Sequence, residues 1–284
     1  MKKRVLKTFA RLLIIAVGLY AILAVLAMFF EEKFIFFPDT YPTGNWTLPS
    51  GAEDVFITTS DKVELHAWWI PNEKASHTFL WLHGNAGNIT HRKYILEHLK
   101  TLGINILMLD YRGYGRSEGI PSEKGLYTDA EAAHDFLVNT KNISPRSIIV
   151  FAQSLGTPVG AELMLRRECG GAILEAPFTS AKEMAMKIIP IPLGWAIKSE
   201  FDTLSKIKKI NKPILIVHGT ADSVVPFEHG KRVFESANAP KTLINFPNNG
   251  HNDQWKNKKK KYLKKIITFQ KLQNKIPTKN KIRH

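Results

Sequence analysis

The chain has a single cysteine, Cys169, in 284 residues, so an internal disulfide is excluded and no covalent staple contributes to stability. Its histidines are dispersed, and no Cys or His cluster has the ligand spacing of a metal site. A phosphate-cradling loop with its lysine is missing, and no G-x-G-x-x-G follows the first expected strand, so nucleotide chemistry has no carrier. Neither a cofactor nor a metal is expected. Acidic residues are missing from both ends: residues 1–11 hold five Lys and Arg, residues 256–284 hold twelve, and neither stretch has an Asp or Glu. Of the 40 basic residues, 23 are left for the middle, against all 25 acidic ones. The formal charge of +15 therefore belongs to the ends, and the folded body is near neutral. Nucleic acid, which needs a positive face on a folded surface, is not an expected partner.

One long apolar run is present. Leu12 to Phe30 carries no charge and is long enough at helical rise to cross a hydrocarbon core of about 30 Å. It follows Lys2, Lys3, Arg4, Lys7 and Arg11 and precedes Glu31 and Glu32, which by the positive-inside rule leaves the N-terminus cytoplasmic and the body on the extracytoplasmic side. A signal peptide cut after Ala27 is the alternative, but the run exceeds the usual apolar region of such peptides. The expected organisation is a basic end (1–11), a transmembrane anchor (12–30), one folded domain (31–272) and a basic disordered tail (273–284). The aromatic run Phe34–Pro38 is expected to return from the membrane surface onto the edge of the domain.

Beyond the anchor, short apolar strands alternate with amphipathic helices, which indicates a mostly parallel sheet with helices on both faces. Eight strands are expected, near 55–58, 63–70, 78–82, 104–109, 147–151, 172–174, 214–217 and 242–246, with the first two an antiparallel pair turning at Ser60-Asp61. Helices are expected near 91–102, 127–139, 159–167, 228–237 and after 252. Cys169, just beyond the helix over 159–167, is expected to pack as a small apolar residue. Residues 178–206, with Pro190, Pro192 and Trp195, break the alternation as a short candidate lid. In the last helical segment, Trp255, Tyr262, Ile266 and Ile267 are expected to dock while lysines face out.

Chemistry concentrates at three places in chain order. Ser154, in the run Ile148-Ile149-Val150-Phe151-Ala152-Gln153-Ser154-Leu155-Gly156, lies between a β-branched strand and the small residues that open a helix, the pattern of a nucleophile elbow, with Ala152 in place of the usual first glycine and Gly156 as the second. Asp222 lies just beyond the strand over 214–217, inside His218-Gly219-Thr220-Ala221-Asp222, and His251 follows Asn248-Asn249-Gly250. Ser, Asp and His in that order suit a catalytic triad, in which histidine takes the serine proton and aspartate orients the imidazole. Rival readings are open: Ser154 as a helix cap, Asp222 as the cap of the helix after it, Glu175 as the acid, and His229 or His284 as the base. A tetrahedral oxyanion needs donors, and two backbone amides are expected to supply them. One is Leu155, next to the serine. The other is Asn85 in the glycine-rich loop His83-Gly84-Asn85-Ala86-Gly87-Asn88 after the third strand. His83 is expected to hold that loop in shape, and His218 to act equivalently beside Asp222.

These motifs, with Asp110-Tyr111-Arg112-Gly113-Tyr114-Gly115 and Leu174-Glu175-Ala176-Pro177-Phe178, resemble the α/β-hydrolase superfamily, and within it the small membrane-anchored hydrolases of the bud-emergence type. The resemblance spans roughly residues 31–270 and implies Ser154, Asp222 and His251 as the triad. Thr157 stands where many relatives have a second glycine, a departure that bears on pocket shape rather than chemistry. The Asp110–Gly119 loop is expected to be structural, with Arg112 pairing locally with a carboxylate. The expected activity is hydrolysis of ester or thioester bonds in acyl, lipid-like substrates by a monomer at a lipid surface. Amide or aminopeptide cleavage is the enzymatic alternative, and a non-catalytic anchored adaptor is the alternative of another class.

Overall fold

The computed structural model describes residues 2–188, 194–238, 240–257 and 259–273. Eight strands form one sheet: β1 (Glu53–Thr58), β2 (Glu64–Ile70), β3 (Thr78–Leu82), β4 (Asn105–Leu109), β5 (Ile148–Gln153), β6 (Gly171–Glu175), β7 (Ile214–Gly219) and β8 (Lys241–Phe246). Their spatial order is β8-β7-β6-β5-β3-β4-β2-β1. The pairings β1 with β2 and β2 with β4 are antiparallel and the rest are parallel. Every residue of β3 to β7 is buried, as strands covered on both faces must be, whereas the edge strands β1 and β8 alternate with exposed positions.

Strand alternation sorts the core into two layers. Leu80, Leu82, Val150 and Ala152 face one layer with helices α3 (Glu123–Asn139) and α4 (Gly156–Arg166). Phe79, Trp81 and Phe151 face the other, which holds α2 (Lys93–Lys100) and α9 (Lys259–Gln273). On α9 and just before it, Trp255, Tyr262, Ile266 and Phe269 are buried while Lys260, Lys261, Lys264 and Lys265 are exposed. Ile267 does not dock as expected: it is 40% exposed, one position past Ile266, and Phe269 takes the inward place. Cys169 packs in the core, where burial pushes its thiol up to about 12.

Helix α1 runs Lys2–Ile35, through the basic end and beyond the expected limit at residue 30. Good helix formers, Glu31, Glu32 and Lys33, follow the apolar run, and the first proline comes only at Pro38. Within α1, Lys3–Leu26 is long and apolar enough to cross a membrane. The chain then does return to the domain edge: Phe37–Pro38 pairs in parallel with Ala86–Gly87 of the loop after β3. The candidate lid contains α5 (Ala181–Ile188), a short 3-10 turn at Gly194–Ala196 and the start of α6 (Thr203–Ile207), its residues 189–193 lying outside those described. Residues 274–284 of the expected tail, His284 among them, also lie outside, and among the described residues the remaining α-helices are α7 (Phe227–Ser236) and α8 (Asp253–Asn257).

Candidate active site

The register of the sheet brings the candidate residues to one edge. Leu82 pairs with Ala152, Gln153 with Glu175 and Phe246 with Gly219, so the loops after β3, β5, β7 and β8 open side by side at the carboxyl ends of the strands. A Cβ built on Gly84 would stand 3.4 Å from Ser154 Cβ, so the loop after β3 touches the elbow.

Ser154 occupies the left-handed region, with φ at +50°, a costly conformation for a residue other than glycine that persists where its surroundings enforce it. The constraints are visible. Its amide donates to Glu175 O at 2.9 Å, and its carbonyl accepts from Thr157 N at 2.9 Å and Thr157 Oγ1 at 2.7 Å. Gly156 is required because a Cβ there would meet Leu82 O at 2.2 Å. The Ser154 side chain does not cap α4, since the cap position is Leu155 and its turn carries no side-chain cap bond. Thr157 points its hydroxyl at the Ser154 carbonyl and is not part of the pocket wall, so the expected effect on pocket shape gives way to one on the backbone of the elbow.

His251 Nδ1 lies 2.7 Å from Asp222 Oδ2. Asp222 Oδ1 accepts from the amides of Val224 and Val225, both at 2.9 Å, so the residue shapes its own turn and still offers its second oxygen. Burial opposes ionisation of this carboxyl, but His218, His251 and the Val225 amide outweigh it and hold it well below the usual carboxylate range. His218 Nε2 donates to Val225 O at 2.8 Å and stands 3.4 Å from Asp222 Oδ2. The side chains of the rivals have other partners. Glu175 is wholly buried and accepts from Trp255 Nε1 and Gln153 Nε2, each at 2.9 Å, while His229 pairs with Thr179 Oγ1 at 2.8 Å. Ser154 and His251 make no hydrogen bond with each other here.

The loop after β3 is oriented through its carbonyls. Gly84 O accepts from His83 Nδ1 at 2.6 Å and Arg92 Nη2 at 3.3 Å, and Asn85 O accepts from Tyr114 Oη at 2.8 Å and Phe37 N at 3.2 Å. A trans peptide points its N–H opposite its C=O. Holding Gly84 O outward therefore turns the Asn85 amide the other way, and the Thr157 bonds do the same for the Leu155 amide. Asn85 and Leu155 both line the pocket that contains Ser154. Burial lowers the proton affinity of His83 and raises that of Tyr114, keeping the phenol a donor. Asn88 is wholly buried, and its Nδ2 donates to Asp39 O and Thr43 O. Arg112 is structural as expected, but its partners are distant in sequence: Asp61 and Asp129, each held through two bonds. Arg92 and the Tyr114 hydroxyl were not foreseen as loop holders, although Tyr114 sits within the Asp110–Gly119 motif.

The pocket has a volume of about 780 Å³, within the usual range for small-molecule sites. Its wall combines the lid (Phe178, Met184, Phe201), Val224 and Val225, and a row from α1. Sequence comparison settles the family. An uncharacterized protein of Mycobacterium tuberculosis is 33% identical over 228 residues, 78% of this chain and 81% of its own. An α/β-hydrolase domain-containing protein of Arabidopsis thaliana is 34% identical over 280 residues, 89% of this chain and 90% of its own. The chain belongs to the α/β-hydrolase family. The family description "Serine aminopeptidase, S33" matches residues 73–201 of this hydrolase, from ahead of β3 through the elbow and into the lid. An esterase of Pyrococcus furiosus shares the fold at a TM-score of 0.70 and 23% identity, over 84% of this hydrolase and 98% of the esterase.

Proposed function

We propose that this hydrolase is a membrane-anchored serine hydrolase acting on ester or thioester bonds of acyl substrates. The observation that carries the reading is Ser154 at φ +50° in a mainly apolar pocket whose neighbouring loops supply a bonded Asp222–His251 pair. Ser154 Oγ attacks the acyl carbonyl as His251 Nε2 takes its proton, and Asp222 stabilises the imidazolium. The oxyanion accepts from the amides of Asn85 and Leu155, each donor of this kind being worth about 3 kcal/mol in the transition state. His251 returns the proton to the departing alcohol or thiol. Water, deprotonated by the same histidine, then releases the acid and regenerates Ser154. Labelling by a fluorophosphonate tests this: wild type labels, Ser154→Ala does not, and equal labelling of the two overturns the assignment.

The matched family description favours aminopeptide cleavage as a second reading. An α-ammonium group would need a free carboxylate in the pocket. Glu31, the acidic residue in the pocket wall, has both oxygens occupied by lid donors at Lys198 and Ser199. Esters and thioesters are favoured for that reason, and turnover of an ester, thioester and aminopeptide panel separates the readings. The same reading places the monomer with its N-terminus in the cytoplasm and its body outside, which protease digestion of spheroplasts checks: a protected body contradicts it.

A further inference from the structure

The apolar wall of the pocket is built in part by the helix that reads as a membrane span. Leu23, Leu26, Phe30 and Phe34 line the pocket at helical spacing along one face of α1. Leu23 and Leu26 also lie inside Lys3–Leu26, the segment apolar enough to cross a membrane. The pocket that holds Ser154 therefore reaches into the stretch of chain that would sit in hydrocarbon. All four residues stay at least 42% exposed, so this wall is open on its outer side.

The lid is fastened to the same helix. Glu31 accepts from Ser199 N and Ser199 Oγ at 3.1 Å and from Lys198 N at 2.6 Å. Ala24 packs on Ala196, and Trp195 Nε1 donates to Tyr20 Oη at 2.8 Å. Met186 and Trp195 on the lid are more than half exposed. Among the described residues, the lid thus adds exposed apolar side chains, Met186 and Trp195, beside the apolar face of α1.

We infer that the pocket is loaded sideways from the bilayer, by a single long acyl chain of a membrane-resident monoacyl lipid ester. The chain lies along Leu23, Leu26, Phe30 and Phe34 with its ester carbonyl at Ser154. The placement fits: Leu23 to Phe34 spans about 16 Å at helical rise, from inside the apolar span to beyond its end, so a chain along it runs from hydrocarbon toward the folded body. The lining suits a lipid rather than a peptide, because the α1 and lid walls present apolar side chains and the Glu31 carboxylate is already occupied. The inference rests on the serine-hydrolase reading, and it further requires that α1 be present for long-chain substrates to be used.

The test uses the full chain in vesicles of a diether phosphatidylcholine, which offers no ester of its own. Turnover is compared for monopalmitoylglycerol in the bilayer and water-soluble monobutyrylglycerol. Leu23→Trp and Leu26→Trp, which fill the groove, are expected to lower the palmitoyl-to-butyryl ratio about tenfold or more, the scale of a lost acyl-chain contact. Val17→Trp, on another face of α1, leaves the ratio unchanged. In wild type, a palmitoyl fluorophosphonate bearing a diazirine near its chain end is expected to crosslink within residues 23–34 after reacting at Ser154. An unchanged ratio in both groove variants, or crosslinks confined to the body beyond residue 52, overturns the inference, as does faster turnover of an S-palmitoyl peptide than of the lipid ester. If the phosphonate fails to react with wild type at all, the serine-hydrolase reading itself has failed, an outcome distinct from the others.

Discussion

A Cβ built on Gly160 would stand 3.1 Å from Ala152 Cβ and 2.7 Å from Val150 Cγ1. Helix α4 approaches β5 this closely because Gly160 has no side chain, and the same missing side chain leaves room for a methyl group at residue 152, where the elbow motif usually has glycine. Gly160→Ala is expected to destabilise by about 1–3 kcal/mol, the cost of overpacking a filled core. Adding Ala152→Gly should return part of that loss, with a coupling of about 0.5 kcal/mol or more in a double-mutant cycle. Denaturant unfolding of the four proteins measures it, and strictly additive losses would show that the two positions do not share the space.

Glu175 ends β6 and Asp222 lies just beyond β7, and on the proposed mechanism they do different work. Asp222→Asn is expected to lower kcat about ten-thousandfold, because the amide favours the wrong imidazole tautomer. Glu175→Gln is expected to react with a fluorophosphonate at the wild-type rate when fully folded. Second-order labelling rates for the two variants decide the matter, and the reverse ranking would exchange their roles.

Much of this was legible in the residues. Eight apolar strands separated by amphipathic segments led to the sheet, because a strand covered on both faces can hardly be written in polar residues. Gly156 and the loop after β3 were legible because backbone approaching within van der Waals contact leaves few residue choices. The contribution of α1 to the pocket was not legible. A segment apolar all round marks no face, so nothing distinguishes Leu23 and Leu26 from Leu19 or Val25 until the body is placed beside them. The partners of Arg112 were equally hidden, because Asp61 and Asp129 reach it only through the fold.

Burial raises the Glu175 carboxyl to about 7, despite donors at Trp255 and Gln153. A folded value above the ordinary 4.5 means that the unfolded chain releases this proton first as pH rises. Stability should therefore fall with rising pH between about 4.5 and 7, by up to about 1.4 kcal/mol per pH unit, and this component should vanish outside that window. Urea unfolding of the detergent-solubilised chain at stepped pH reads the slope. Glu175→Gln is expected to flatten it, and parallel slopes in the two proteins would remove Glu175 as its source.

Glu31 joins α1 to the lid through bonds to a buried carboxylate, a kind worth about 1.5–3 kcal/mol each. Glu31→Ala is expected to free the lid locally while leaving the sheet folded. Trypsin cleavage after Lys198 should then accelerate at least tenfold, as a loss of about 1.4 kcal/mol would require. An unchanged cleavage rate would mean that the lid is held by its other contacts, among them Glu123 with the amides of Glu200 and Phe201 at 2.6 Å.

On the proposed mechanism, Thr157 acts on the oxyanion through the peptide it orients. Its hydroxyl is one of two donors to Ser154 O, and that carbonyl fixes the direction of the Leu155 amide. Thr157→Val keeps the volume and removes the donor, so the peptide is held by the Thr157 amide alone. Loss of one such bond is worth about 1 kcal/mol, which predicts a fall of about fivefold in kcat. KM should be unchanged, because the ground-state carbonyl depends less on the amide than the developing oxyanion does. Thr157→Ser restores the hydroxyl and should recover the rate, which separates a lost donor from a disturbed core. A variant that changes KM alone would instead place Thr157 in the pocket wall.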